Sequence, residues 1–173
     1  MKKLLLYIAM SLDGFIARED NSLDWLFRTS GEGDNGYSEF YKTIDTILMG
    51  RKTYEQILIL ENGKFPYKDK KCYVFSRQYN ENNECVEFIN DNIGDFVNKI
   101  KNEEGKRIWL VGGGELLHEF LKHKLVDEII IQIAPIIIGK GIRLFKEDNL
   151  EIELILKETK SINNFSQLYY KVK

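Results

Sequence analysis

A chain of 173 residues that is 43% hydrophobic and 12% aromatic is long enough to bury a core and too apolar to be disordered, so it reads as one domain over residues 1–173. A net charge of −2 gives no general attraction to nucleic acid or to an anionic membrane surface, and neither is expected as a partner. Two cysteines (Cys72, Cys85) and two histidines (His118, His123) are too few for a disulfide scaffold or a metal centre, and no apolar stretch could span a bilayer; the expectation is a cytoplasmic protein with reduced thiols and no metal.

Residues 4–10 are a continuous apolar run that stops at Ser11-Leu12-Asp13-Gly14, the pattern of a strand buried on both faces. Phe15, Ile16 and Ala17 follow, then a polar loop over 18–23, the apolar patch Asp24-Trp25-Leu26-Phe27 and a glycine-rich loop over 31–36. A helix is predicted over 37–44, with Phe40, Tyr41 and Ile44 on one face. A second buried strand, 46–49, runs straight into Gly50-Arg51-Lys52-Thr53 and a helix through 59. A third strand, 71–75, ends at Ser76-Arg77, and a short fourth covers 86–89. Residues 91–101 place Ile93, Phe96, Val97 and Ile100 at helical spacing.

The strand predicted over 107–111 stops at Gly112-Gly113-Gly114, and a helix over 115–123 begins at once with Leu116, Leu117, Phe120 and Leu121 on its inner face. The long apolar run 128–138, interrupted by Pro135, leads to Gly139-Lys140-Gly141. Residues 150–158 and 166–171 then read as antiparallel strands with no helix between them. Alternating strands and helices require a mostly parallel central sheet covered on both faces, a three-layer α/β fold, with the C-terminal antiparallel pair extending one edge.

Ligands of such sheets sit beyond the carboxyl ends of the parallel strands. A glycine turn into a helix start leaves backbone N–H groups unshielded by a Cβ, so Gly112, Gly113 and Gly114 can approach a phosphate; a tight turn alone needs only one glycine at positive φ. Arg51, Ser76 and Arg77 follow two strands expected to be neighbours and could converge on one anion, with Thr53 as a helix cap or a phosphate or ribose contact. The G-x-G-x-x-G fingerprint of dinucleotide-binding domains is absent.

Five segments together resemble the dihydrofolate-reductase fold superfamily, in the branch of the C-terminal reductase domain of the bifunctional riboflavin-biosynthesis deaminase/reductase. They are Ala9-Met10-Ser11-Leu12-Asp13-Gly14-Phe15-Ile16-Ala17, Ile47-Leu48-Met49-Gly50-Arg51-Lys52-Thr53-Tyr54, Tyr73-Val74-Phe75-Ser76-Arg77, Trp109-Leu110-Val111-Gly112-Gly113-Gly114, and Ala134-Pro135-Ile136-Ile137-Ile138-Gly139-Lys140-Gly141. They occur in family order over nearly the whole chain. The resemblance implies a dihydrofolate-reductase-like fold and an NADPH-binding reductase of a heterocyclic or ribosylamino-pyrimidine substrate. By position, Ala9 and Ile16 flank the nicotinamide, while Gly50, Arg51 and Thr53 hold phosphates and the adenosine ribose. Ser76 and Arg77 read the 2′-phosphate, and Gly112, Gly113 and Gly114 meet the pyrophosphate with Glu115 and Leu116 opening the helix that points at it.

On the substrate side the resemblance implies an acid on the helix before the second strand. Alignment on Gly50-Arg51 selects Asp34, and alignment on the aromatic helix face leaves Glu39; either also fits as a helix N-terminal charge. Asp13 is expected on the substrate side. Trp25, with Phe27, is expected as a cleft wall or a core residue. The alternatives to the pyrimidine reductase are a dihydrofolate or pteridine reductase and a dinucleotide-binding protein without turnover. The alternating isoleucines of 129–138 beside a sheet edge point to a homodimer, against the competing reading that they are fully internal.

Overall fold

A computed structural model describes residues 1–29, 31–78 and 81–173. Its centre is β1 (Leu4–Ser11), whose apolar residues leave no polar face to turn to solvent. On one side β1 pairs in parallel with β6 (Arg107–Gly112), which pairs with β3 (Ile44–Gly50), then β4 (Lys71–Phe75) and the edge strand β5 (Glu87–Ile89). On the other side β1 pairs in parallel with β7 (Glu128–Ala134). The hairpin β9 (Leu154–Ile162) and β10 (Phe165–Val172) then adds two antiparallel strands, giving the order β5-β4-β3-β6-β1-β7-β10-β9. This is the expected mostly parallel sheet with an antiparallel C-terminal edge. A separate pair, β2 (Phe15–Ala17) and β8 (Ile142–Arg143), joins the loop after β1 to the loop after β7.

Two layers of helix cover the sheet. Helices α4 (Ile93–Lys101) and α5 (Gly114–Lys122) bury Phe96, Val97, Ile100, Leu116, Leu117, Phe120 and Leu121 on the face that carries Leu4, Leu6, Ile108 and Leu110. The opposite face, with Leu5, Tyr7, Ile47 and Trp109, is covered by α2 (Tyr37–Tyr41) and α3 (Arg51–Leu60). Its filling is aromatic: Tyr7 stacks on Phe40 at 3.9 Å, and Trp109 meets Phe40 edge-on at 5.2 Å. A short helix, α1 (Asp24–Arg28), packs its Trp25 against Ala134 of β7 and Phe165 of β10.

Three boundaries differ from the sequence expectation. The helix predicted over 37–44 stops at Tyr41, and Ile44, fully buried, opens β3 instead. Thr43 explains the break, because its backbone N–H and hydroxyl both donate to the Phe40 carbonyl, closing a turn. The run 128–138 ends as a strand at Ala134, before Pro135, which has no N–H to offer a ladder. The strand predicted over 150–158 instead spans Leu154–Ile162.

Of the isoleucines expected to face a partner, the first three of β7 are internal, Ile133, Ile136 and Ile138 are half-buried, and Ile137, beyond the strand, is 69% exposed. Ile129 and Ile131 pack under the α4/α5 layer and Ile130 in the aromatic layer, each at most 8% exposed. A contiguous run of exposed apolar side chains lies further out, on Leu154, Ile155 and Leu156 of the edge strand β9, which are 38%, 42% and 54% exposed.

Two buried lysines close the amino end of the sheet. Lys2 donates to Asp45 at 2.8 Å and to the Thr46 hydroxyl at 3.0 Å; Lys101 meets Asp127 at 2.7 Å and the Leu125 carbonyl at 3.1 Å. A lysine survives burial only when paired and hydrogen-bonded. Burial pushes the Asp45 carboxyl up, but its bonds from Lys2, the Lys106 N–H and Thr46 outweigh this and hold it below the usual carboxylate range. A depressed carboxyl contributes stability above the unfolded pKa of about 3.9 and loses it as pH falls through the folded value. Lys2→Met is therefore expected to cost about 2–3 kcal/mol at pH 7, and to lose less stability than the unmodified protein on acidification to about pH 3. Urea unfolding midpoints at the two pH values check this; equal acid sensitivity in both proteins would refute it.

Candidate active site

Four parallel strands end side by side and build the site. Along β4-β3-β6-β1 the chain leaves the sheet in turn at Ser76, Gly50, Gly112 and Ser11. Helices start directly from two of these ends, α3 at Arg51 and α5 at Gly114. The two starts adjoin: a Cβ on Gly50 would lie 4.0 Å from both the Gly112 carbonyl oxygen and Leu116 Cβ. Neither start carries a side-chain cap, whereas α4 is capped by Asn92, which accepts from the Asp95 N–H at 3.1 Å. Two adjacent uncapped starts aim first-turn N–H groups and positive dipole ends at one strip, which favours an anion.

The three glycines have different reasons to be there. Gly112 has φ +123°, so it alone supplies the turn that a side chain would strain. A Cβ on Gly114 would fall 2.5 Å from the Arg143 carbonyl oxygen and 3.1 Å from that of Leu144, so its smallness is a packing demand of the fold. Gly113 has φ −81°, and its Cβ would meet nothing closer than Thr53 Oγ1 at 3.6 Å and Ile16 Cδ1 at 3.9 Å. Beyond its chain neighbours nothing crowds that Cβ, and the space above its Cα lies between two predicted ligand contacts. That cradle, bordered by both helix starts, fits a phosphate-bearing cofactor.

Arg51 and Ser76 are linked through a residue the sequence analysis did not single out. An Arg51 guanidinium N–H donates to the Gln78 side-chain carbonyl, and Gln78 shares two bonds with Ser76: its N–H donates to Ser76 Oγ at 3.2 Å, and Ser76 Oγ donates to its carbonyl at 3.0 Å. Arg51 also lies 3.4 Å from Glu55, which offsets part of its charge, and Arg77 is exposed. At the other end of the strip Ala9 and Ile16 are half-buried, Ala9 in register with Gln132. Leu116 is a core residue that can offer only backbone, and the Glu115 side chain turns outward to Lys146 at 3.0 Å.

The substrate-side expectations fare differently. Trp25 is fully buried against Ala134 and Phe165, so it is core and no cleft wall, and its indole N–H has no hydrogen-bond partner among the described residues; Phe27 is 61% exposed. Asp34 is an exposed cap, accepting from the N–H of Gly36 at 3.0 Å and of Ser38 at 2.8 Å. Its bonds to Ser38 hold its carboxyl below the usual range, so near neutral pH it has no proton to give. Glu39 is exposed and paired with Lys42 at 2.7 Å. Asp13 is bonded to the protein rather than open to a substrate: it accepts from Ser11 Oγ and from the N–H groups of Ile138 and Gly139. Burial pushes Tyr7, beside Asp34 and Tyr37, up to about 12, so its hydroxyl keeps its proton near neutral pH.

Sequence reading missed Gln132, a buried amide that donates to the Asn35 carbonyl at 2.8 Å and to Gln167 Oε1 at 3.1 Å. A lone polar residue inside an apolar strand run is a signal that was available. Nothing comparable marked Gln78.

The sequence pattern of a family described as the RibD C-terminal domain matches residues 2–168. The chain belongs to the RibD C-terminal domain family. Bacillus subtilis YwjB is 48% identical over 170 residues, covering 98% of this chain and 97% of the relative. Among solved structures, a candidate riboflavin biosynthesis protein from Shewanella sp. PV-4 superposes with a TM-score of 0.88 at 28% identity, covering 100% of this chain and 99% of that one. Enterococcus faecalis dihydrofolate reductase, complexed with NADP(H), shares the fold with a TM-score of 0.66 at 17% identity, over 99% of this chain and 96% of that one. No helix among the described residues is long and apolar enough to cross a membrane.

Proposed function

We propose that the chain is an NADPH-dependent reductase that delivers hydride to a C=N or C=O of a ribosylamino-pyrimidine-type substrate, related to 5-amino-6-(5-phosphoribosylamino)uracil reduction in riboflavin biosynthesis. The observation that carries the reading is the pair of adjacent uncapped helix starts around the Gly113 cradle. Bound there, the reduced nicotinamide supplies the hydride. Gly50, Thr53 and the N–H groups that open α3 and α5 hold phosphates, and Arg51, Ser76 and Arg77 take the 2′-phosphate. Ala9 and Ile16 flank the site of transfer. With Asp34 and Glu39 facing solvent, the accompanying proton comes from water.

The test is loss of the reduced-nicotinamide absorbance with a ribosylamino-pyrimidine and, in parallel, with dihydrofolate and dihydropterin. Turnover of the pyrimidine alone supports the proposal. Turnover of the pterins instead assigns the chain to the pteridine reductases, and NADPH binding without any turnover makes it a binding protein.

We further propose that the protein is a homodimer in the cytoplasm, with β9 in place of β7 as the contact. Light scattering at micromolar concentration is expected to give twice the chain mass, and Ile155→Lys with Leu156→Lys is expected to return the monomer. A monomer mass for the unmodified protein at all concentrations would refute this.

A further inference from the structure

The loop between β1 and β2 is fastened by a short relay of hydrogen bonds. The Phe15 N–H donates to Ser11 Oγ at 3.0 Å, and the Ser11 hydroxyl donates to Asp13 Oδ1 at 2.6 Å. From the other side, the Ile138 N–H donates to Asp13 Oδ1 at 3.2 Å and the Gly139 N–H to Oδ2 at 2.8 Å. Ser11 is fully buried, so the relay is shielded from water at that end, and charge-assisted bonds to a carboxylate are the stronger kind.

Around this relay the two segments are stitched repeatedly. The Leu12 N–H donates to the Ile136 carbonyl at 2.8 Å, the Leu144 N–H donates to the Gly14 carbonyl at 3.0 Å, and β2 pairs with β8. Gly141 passes so close that a Cβ on it would lie 2.2 Å from the Ala17 carbonyl oxygen. Residues 11–17 and 136–144 therefore move as one body. That body borders the glycine run twice, through Ile16 Cδ1 beside the Gly113 cradle and through the Arg143 and Leu144 carbonyls against Gly114.

We infer that Asp13 is a positioning residue: with Ser11 it latches residues 12–17 onto the 136–144 segment and so fixes the wall formed by Ile16 before ligand arrives. The inference rests on the dinucleotide reading above. Its oxygens accept from Ser11, Ile138 and Gly139 and serve the ligand only by holding Ile16 in place. A wall that is ordered in advance spares the ligand the cost of ordering it, so the latch acts on affinity at the nicotinamide end alone.

Titration calorimetry with two probes separates the ends of the site: NADPH, which reaches Ile16, and adenosine 2′,5′-bisphosphate, which carries the 2′-phosphate and the adenosine-side phosphate but no nicotinamide to reach Ile16. Asp13→Ala is expected to weaken NADPH about tenfold, the equivalent of one charge-assisted hydrogen bond, with the bisphosphate unchanged. Asp13→Asn, which keeps acceptor oxygen but loses the charge and turns an N–H2 group toward a donor, is expected to recover part of the loss. Ser11→Ala removes one link with little change of volume and shows the same split at a smaller factor, which carries the test should Asp13→Ala not fold. An equal loss for both probes makes Asp13 a general stabiliser and overturns the latch; so does no loss for either. If the unmodified protein binds neither probe, the dinucleotide reading falls and the latch with it.

Discussion

Gly113→Ala is expected to fold normally and to lose dinucleotide binding, while Gly114→Ala is expected to lose fold stability first. At Gly113 the backbone is at φ −81°, and the added methyl meets only Thr53 and Ile16 at 3.6 and 3.9 Å, ordinary contact distances. The melting temperature should therefore stay within about 2 °C of the unmodified protein, since such a change is worth well under 1 kcal/mol. The same methyl projects into the cradle between two helix starts, where close backbone approach to a pyrophosphate leaves no room for it. NADPH affinity should fall by at least about a hundredfold, the loss of two or more hydrogen bonds to a charged group. At Gly114 the methyl would lie 2.5 Å from a backbone oxygen, a clash no rotamer change relieves. Overpacking of this kind costs about 1–3 kcal/mol and should lower the melting temperature by roughly 3–10 °C. Thermal melts with and without NADPH read both outcomes; a Gly113→Ala protein that binds NADPH normally would show that the run is only a turn.

Arg51→Ala combined with Arg77→Ala is expected to erase the preference for NADPH over NADH. The unmodified protein should prefer NADPH by about a hundredfold, taking the lower end of the range for charge-assisted bonds because both guanidinium groups are partly solvated. The double variant should bind the two cofactors within about threefold of each other, with NADH affinity itself unchanged. The preference should also shrink as salt is raised, since exposed charges are screened over a Debye length of about 10 Å at 0.1 M. Equal affinities in the unmodified protein would remove the 2′-phosphate assignment.

The strand ends were legible because each carries its own punctuation: Gly50, Ser76 and the glycine run all follow short apolar segments, and parallel topology then fixes which way they point. The relative order of the strands was not written locally. It comes from which apolar faces the helices can cover, so the near contact of Gly50 with Gly112 appears only in the folded sheet. The sequence left Asp34, Glu39 and Trp25 open between a site role and a structural one, and gave no partner for Asp13, for a common reason. Residue type announces that a carboxylate or an indole must be satisfied, but the partner is chosen by loops: Ser38 for Asp34, Lys42 for Glu39, Gly139 for Asp13, and a core of Ala134 and Phe165 for Trp25. The isoleucines of β7 misled similarly. Alternation reveals two faces, and only the assembled layers reveal that both are covered.

The two margins of the sheet are unequal. β5 is three residues long, while β9 is nine, begins with Leu154-Ile155-Leu156 and continues through Lys157, Glu158 and Lys160. Strand-by-strand growth needs a long free margin on each molecule after every addition. Here a β9-to-β9 contact consumes both long margins at once and leaves only the two short ones outward, so such an assembly stops at two copies and cannot propagate into a fibre. The charged second half of β9 restricts the contact further, because antiparallel self-pairing that sets Lys157 opposite Glu158 is favoured over registers that oppose like charges.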